Sequence, residues 1–171
     1  MKKLFIILAL LTCAIGESSA QKFALVDMDY ILSNIPAYER ANEQLNQVSR
    51  RFQEEVETLT AIAQDLYKNY QSEAVFLSAE QKKKKEDAIV TKENEARELK
   101  RKYFAPEGEL YKKRESLIKP IQDEIYNAVK EIAKRKGYSM ILDKASAGNI
   151  VYASTKIDIS NEVLEKLGYS N

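Results

Sequence analysis

From residue 41 to residue 70, apolar side chains fall at Ala41, Leu45, Val48, Phe52, Val56, Leu59, Ala63, Leu66 and Tyr70, with charged and amide residues between them. The mean step is about 3.6 residues, which draws one stripe along a nearly straight helix. A strict heptad needs 3.5, so a tightly supercoiled left-handed rod is not specified. A two-helix hairpin with modest twist fits better. The second stripe is thin at first, with Ile89, Ala96, Leu99 and Tyr103 scattered among Lys, Glu and Arg. It thickens through Leu110, Leu117, Ile121, Ile125, Val129 and Ile132. Within 37–136 the helix-breaking types are confined to Pro106, Gly108 and Pro120, so this stretch reads as a helical hairpin almost throughout. Its tip is expected near 76–78. Ser78 with Gln81 three residues on is a capping-box pattern, which starts the second helix at Ala79. A first helix of about 40 residues would extend ~60 Å, more than a compact domain requires. The thin stripe predicts a far end that buries little and moves. Pro106 and Gly108 predict a kink between Tyr103 and Glu109, and Pro120 a second bend. These bends either only curve the returning helix or hinge the hairpin.

The flanking pieces, 21–36 and 137–171, carry a different pattern. Phe23 to Val26 reads as a strand, and Tyr30, Ile31, Leu32 and Ile35 suit a short helix capped by Asp27 or Asp29. Gly137 is placed to end the long helix. Tyr138 to Leu142 then reads as a second strand, Asn149 to Ala153 as a third, and Asn161 to Leu167 as a last helix stopped by Gly168. The fold class is α+β, a small strand-rich body with the long antiparallel hairpin inserted between its strands. A body of about 50 residues is marginal alone, and short strands leave edges that must be paired. Symmetric oligomerisation is the simplest repair. Leu25, Val26, Met140, Ile141, Leu142, Ile150 and Val151 are the residues expected to build the subunit interface.

The N-terminus adds a destination. Lys2 and Lys3 precede an apolar run from Leu4 to Ile15, and Ser18-Ser19-Ala20 supplies small residues for cleavage before Gln21, so 1–20 reads as an export signal. Lipidation at Cys13 is the rival reading, weakened by Thr12 just before it. Cleavage removes Lys2, Lys3 and Glu17 from 27 basic and 26 acidic side chains and leaves the two signs equal. A neutral chain argues against a dedicated nucleic-acid binder. Charge is uneven locally. The stretch from Glu39 to Val75 has four basic and seven acidic residues, whereas Glu80 to Lys102 has nine and six, so antiparallel helices would complement each other. The chain has no histidine and one cysteine, which removes Ser/His and Cys/His catalysis, Cys/His zinc sites and internal disulfides. Asp27 and Asp29 could be read as a metal pair, but capping accounts for them. No Gly-rich phosphate loop is present.

Phe-Ala-Leu-Val-Asp at 23–27, Tyr30-Ile31-Leu32, and Pro36 before a long charged hairpin are joined by three later segments. These are Tyr-Ser-Met-Ile-Leu-Asp at 138–143, Ile-Val-Tyr-Ala at 150–153, and Ile157-Asp158-Ile159-Ser160 before Val163-Leu164. In order and spacing the chain resembles the Skp (OmpH) family of periplasmic chaperones over essentially its whole mature length. The resemblance implies a homotrimer in the periplasm, with a β-barrel body and three helical arms enclosing a cavity for unfolded outer-membrane proteins. It implies no ATP, no cofactor and no catalysis. Members of the family often carry a basic balance, which this chain lacks. Only Lys82, Lys83, Lys84 and Lys85 concentrate positive charge, either as a solvated helix face or as a contact for anionic lipid headgroups or lipopolysaccharide. Tyr67, Tyr70, Phe76, Tyr103, Phe104 and Tyr111 are the candidate client-facing residues, because an aromatic ring brings large contact area with few torsions to order. Tyr70 and Tyr103 fall on the inter-helix stripes and could instead zip the helices together. The alternative function is a structural coiled coil, or a protein binding nucleic acid or an anionic surface in the cell envelope.

Overall fold

The computed structural model describes residues 21–169. The expected export signal and Cys13 lie outside the described residues. The chain runs β1 (Lys22–Val26), α1 (Met28–Ser33), α2 (Pro36–Glu73), a 3-10 turn (Ala74–Phe76), α3 (Ala79–Phe104), α4 (Glu109–Lys136), β2 (Tyr138–Asp143), a 3-10 turn (Thr155–Ile157) and α5 (Ser160–Lys166). The described residues divide into two compact units, one comprising 21–31 and 127–169, the other Leu32–Tyr126.

In the second unit, Pro36 opens α2 at a position where its missing N–H is not needed. All nine residues of the α2 stripe are buried or half-buried, so the period read from the sequence is the face that packs. The helix ends in the Ala74–Phe76 turn. Ser78 then caps α3 reciprocally with Gln81, the Ser78 Oγ accepting from the Gln81 amide and the Gln81 Oε1 from the Ser78 amide. Two of the donors that every helix start leaves free are thus satisfied. Over 26 residues α3 buries only Ile89, Ala96 and Tyr103. Ala41, Leu45 and Ile118 form a cluster backed by Tyr38, Leu110, Leu117 and Ile121, so apolar density is greatest beyond the interruption.

The expected kink is a complete break. Ala105 adopts φ −66°, ψ 160°, the extended geometry that a following proline imposes. Glu107 takes a left-handed φ of 64°, and Gly108 resumes the chain so close to the preceding turn that a Cβ there would lie 2.8–2.9 Å from the carbonyl oxygens of Lys102, Tyr103 and Ala105. Only glycine fits. Pro120, by contrast, sits inside α4 without ending it.

In the first unit β1 and β2 pair in parallel, Phe23 opposite Met140, Ala24 opposite Ile141, Leu25 opposite Leu142 and Val26 opposite Asp143. The third strand expected at Asn149 to Ala153 is absent. Asp143 turns the chain away after β2, its carboxylate accepting from the Ala145 amide and the Ser146 hydroxyl, and Leu25 takes its other backbone bond from Ile159 at 2.9 Å. Val151 is fully exposed and Tyr152 is 86% exposed; the Asp158–Ile159 segment, not this one, reaches the free side of β1. Asp27 Oδ1 caps α1 by accepting from the Tyr30 amide at 2.9 Å, as the sequence suggested, and Oδ2 lies 3.3 Å from Lys144 Nζ. Gly137 and Gly168, at φ 69° and 84°, close α4 and α5.

Polar side chains tie this unit together. Lys144 bridges Asp158 at 2.8 Å and Asp27, and those two contacts raise its ammonium above the ordinary lysine range, Asp158 first. Burial works to raise the Asp143 and Asp158 carboxyls, but it is outweighed. The Ser146 hydroxyl and the Met28 and Ala145 amides hold Asp143 low, while Lys144 and Ser160 hold Asp158 low. Glu162 is lowered by Lys136 and Arg135, and Glu131 by Lys166.

Candidate client-binding surface

The six candidate aromatic residues separate into two groups. Tyr103 is buried, its ring stacked on Phe52 with centroids 3.8 Å and planes 4° apart, and its hydroxyl bonded to Glu55. Lys102 Nζ lies 5.6 Å from its ring centroid and Arg51 Cζ 5.4 Å from that of Phe52. Tyr70 is half-buried, and its hydroxyl bonds Glu86 on the opposite helix. In both tyrosines the bonded carboxylate raises the phenol pKa, because ionising beside it would place two negative charges together. These two rings join the hairpin's helices and leave little surface for a client.

The other four are exposed: Tyr67 by 50%, Phe76 by 86%, Phe104 by 39% and Tyr111 by 49%. Tyr67 borders a groove of about 610 Å³ between α2 and α3 with Val56, Ala63 and Ala96 at its base. Those small side chains leave the room. Phe104 and Tyr111 border a second groove of about 530 Å³ at the helix break. Phe104 also packs edge-on against Phe52 and Tyr103, with centroids 6.4 Å apart in each case, so part of its ring is committed to the hairpin.

Sequence reasoning passed over Ile62, Val75 and Val90, which are 41%, 86% and 52% exposed. Ile62 and Val90 each stand beside a stripe residue, Ala63 and Ile89, one step off the packing face. That off-stripe placement was the available signal. Val75 belongs to the turn, where periodicity carries no information.

Lys82, Lys83, Lys84 and Lys85 do not form one face. Successive residues in a helix are about 100° apart, so four in a row sweep round it. Lys85 is paired with Glu73 across the tip, Lys82 is half-buried, and Lys83 and Lys84 are exposed.

The seven interface candidates also divide. Leu25 and Val26 are buried within their own unit, at 5% and 4% exposed, and Ile141 and Ile150 are half-buried. Met140 and Leu142, on one side of β2, are 51% and 44% exposed, and Val151 in the following loop is fully exposed. Phe23, at 46%, belongs to the same class and was not anticipated. Among the described residues no helix is long and apolar enough to cross a membrane.

A model of the family described as "Outer membrane protein (OmpH-like)" matches residues 22–167. The chain belongs to the OmpH-like family. No curated protein matches it. Solved structures do, among them a crystal structure from Caulobacter crescentus CB15 described as a candidate OmpH-like outer membrane chaperone. It has a TM-score of 0.67 at 10% identity and covers 87% of this chain and 85% of that one. At that identity the likeness is one of fold, and it extends over both units. OmpH-like membership supports a chaperone role, which makes the exposed apolar groups of the hairpin the surface of interest.

Proposed function

We propose that this chain is an ATP-independent holdase of the periplasm that keeps unfolded outer-membrane proteins soluble by cradling them between helical arms of a homotrimer. The observation that carries the reading is the set of apolar side chains left in solvent on a hairpin rich in charged residues. Tyr67, Val75, Phe76, Val90 and Tyr111 are each at least half-exposed or nearly so. An unfolded membrane β-barrel presents alternating apolar side chains. Scattered aromatic and aliphatic groups can meet these by many weak contacts without fixing one conformation, and each ordered aromatic ring loses little torsional freedom. No cofactor and no chemical step are needed.

The trimer is proposed from the exposed apolar side chains of Phe23, Met140, Leu142 and Val151 together with the family resemblance. Edges left open by a two-stranded sheet are completed most simply by copies of the same chain. The export-signal pattern read in the sequence at 1–20 supports the periplasmic assignment. Contact with anionic headgroups or lipopolysaccharide rests on Lys83 and Lys84 alone, the two lysines of the run that stay exposed.

Photocrosslinking tests the client surface. A crosslinking residue at Tyr67, Phe76 or Tyr111 should capture a urea-unfolded outer-membrane β-barrel diluted into the protein, and should lose it once the barrel has folded into detergent. A crosslinker at the exposed Lys119 or Asp123 serves as the comparison. Equal capture at all five positions, or capture of the folded barrel, would contradict the reading.

A further inference from the structure

Within the Leu32–Tyr126 unit, the seam between α2 and α3 is fastened at two places and thin between them. One fastening is the Phe52 and Tyr103 stack, with the Tyr103 hydroxyl bonded to Glu55. The other lies at the tip, where the Tyr70 hydroxyl donates to Glu86 and Lys85 pairs with Glu73. Phe52 and Tyr70 are eighteen residues apart on α2, which at 1.5 Å per residue is ~27 Å. Over that length, among the described residues, no hydrogen bond or ion pair joins the two helices; Lys92 pairs with Glu95 of its own helix. The buried side chains there are Ala63, Ile89 and Ala96. Two of the three are alanines, which remove little apolar area from water.

On the other side of the stack the packing is denser, with Ala41, Leu45 and Ile118 backed by Tyr38, Leu110, Leu117 and Ile121. Stability is therefore uneven along the hairpin, and a segment with few buried apolar contacts opens more readily than the unit around it. The groove of about 610 Å³ already loosens the middle of the thin stretch. The tip contacts that close it are individually weak. The side chains of Lys85 and Glu73 are 40% and 51% exposed, and solvent screens a pair so placed.

We propose that the tip contacts are a latch on a two-state arm. With Tyr70 on Glu86 and Lys85 on Glu73 the seam is closed; with both released, α2 and α3 part from the tip toward the Phe52 and Tyr103 stack. Parting uncovers Leu59, Leu66, Ile89 and Leu99, which the closed seam holds buried or half-buried. These join Ile62, Tyr67 and Val90, which are exposed beside the seam even when it is closed. The opening is a property of the arm alone. Its occupant, an unfolded outer-membrane β-barrel, rests on the holdase reading and follows from continuity, because the uncovered aliphatic groups extend a surface which that reading already gives to the client. A closed seam also keeps this apolar area out of water while no client is present.

Residues 21–171 contain no cysteine, so a single introduced thiol reports its own exposure through its rate of reaction with a chromogenic disulfide reagent. Ala63, in the middle of the seam, is 4% exposed, and Ala41, beyond the stack, is 5% exposed. Despite that equal burial, the thiol of Ala63→Cys should react about tenfold faster than that of Ala41→Cys, because it is uncovered by local opening. Lys85→Gln removes one contact of the latch. It should speed labelling of Ala63→Cys by about two- to fivefold, the worth of an exposed ion pair, and leave Ala41→Cys unchanged. Lys92→Gln removes the same charge from the same helix without touching a contact between helices, and should leave both rates alone. Equal labelling at the two positions, or a rate that Lys85→Gln does not change, overturns the latch. For the client, a larger open fraction raises apparent affinity in proportion, so Lys85→Gln should lower by about twofold the protein concentration that keeps a urea-unfolded barrel from aggregating. An unaltered requirement in a variant that labels faster overturns the client surface. A wild-type protein that suppresses no aggregation refutes the holdase reading instead, and the labelling rates then decide the latch by themselves.

Discussion

Replacing Phe52 by alanine removes the centre of the hairpin's one aromatic stack. The ring is 5% exposed, lies face to face with Tyr103 at 3.8 Å and edge-on to Phe104 at 6.4 Å. Losing a buried phenylalanine side chain costs about 3–5 kcal/mol in a closed core, made up of lost transfer energy and the cavity left behind. The stacking geometry carries about 0.5–1.5 kcal/mol beyond buried area. Two helices can close over a gap more easily than a multilayered core can, so the low end, about 3 kcal/mol, is expected. For a chain of this length that corresponds to a fall in Tm of about 6–12 °C, at about 2–4 °C per kcal/mol. Hydrogen exchange resolves the effect better than a global melt. Amides near Phe52 and in the stretch before Phe104 should lose protection, while those of β1 and β2 change little. Protein concentration must be held constant, since assembly would couple to stability. Phe52→Leu should recover more than half the loss by refilling the volume. A loss under about 1 kcal/mol, or deprotection spread evenly over both units, would refute the view that this stack holds the hairpin together.

Gly108→Ala should cost about 1–3 kcal/mol, as steric strain of this kind does, because the added Cβ meets three backbone carbonyls that cannot move separately; thermal unfolding followed by circular dichroism checks it, and an unchanged Tm contradicts the assigned geometry. Asp143, Asp158, Glu131 and Glu162 are all held below the ordinary carboxyl values of 3.8 and 4.5. Groups depressed in this way contribute stability above their unfolded pKa and lose it as the pH falls through the folded one. The unit containing β1 and β2 should therefore keep its Tm from neutral pH to about pH 5 and soften below about pH 4, and a flat Tm down to pH 3 would contradict this. Val151→Asp puts a charge on a side chain with no contact in its own chain, so it should leave monomer helicity unchanged while lowering the solution mass; an unaltered mass would remove Val151 from the subunit interface.

Helix boundaries were legible wherever one local device decides them. The α2 stripe, the Ser78 capping box and the glycines at 137 and 168 act within a few residues, and each stands where the spacing put it. The strand at Asn149 to Ala153 was not legible as absent, because whether Ile150 and Val151 pair is decided by residues distant in sequence: on the free side of β1 the Leu25 carbonyl accepts from the Ile159 amide instead. Pro106 announced a bend, but its severity came from Glu107 and Gly108 acting with it. Aromatic residues near the stripe were the hardest to assign. Tyr103 and Phe104 are adjacent in sequence, yet a rotation of 100° buries one and half-exposes the other. The Lys82 to Lys85 run looked like a patch only in one dimension.

The central claim is that several copies of this chain together hold an unfolded barrel in solution. Light scattering on residues 21–171, alone and after dilution of a urea-unfolded outer-membrane β-barrel into it, tests this directly. A mass near three chains, rising by one client per assembly while turbidity stays low, is the predicted result. A monomer that leaves the client to aggregate would contradict it, and the hairpin would then be a docking rod for a folded partner.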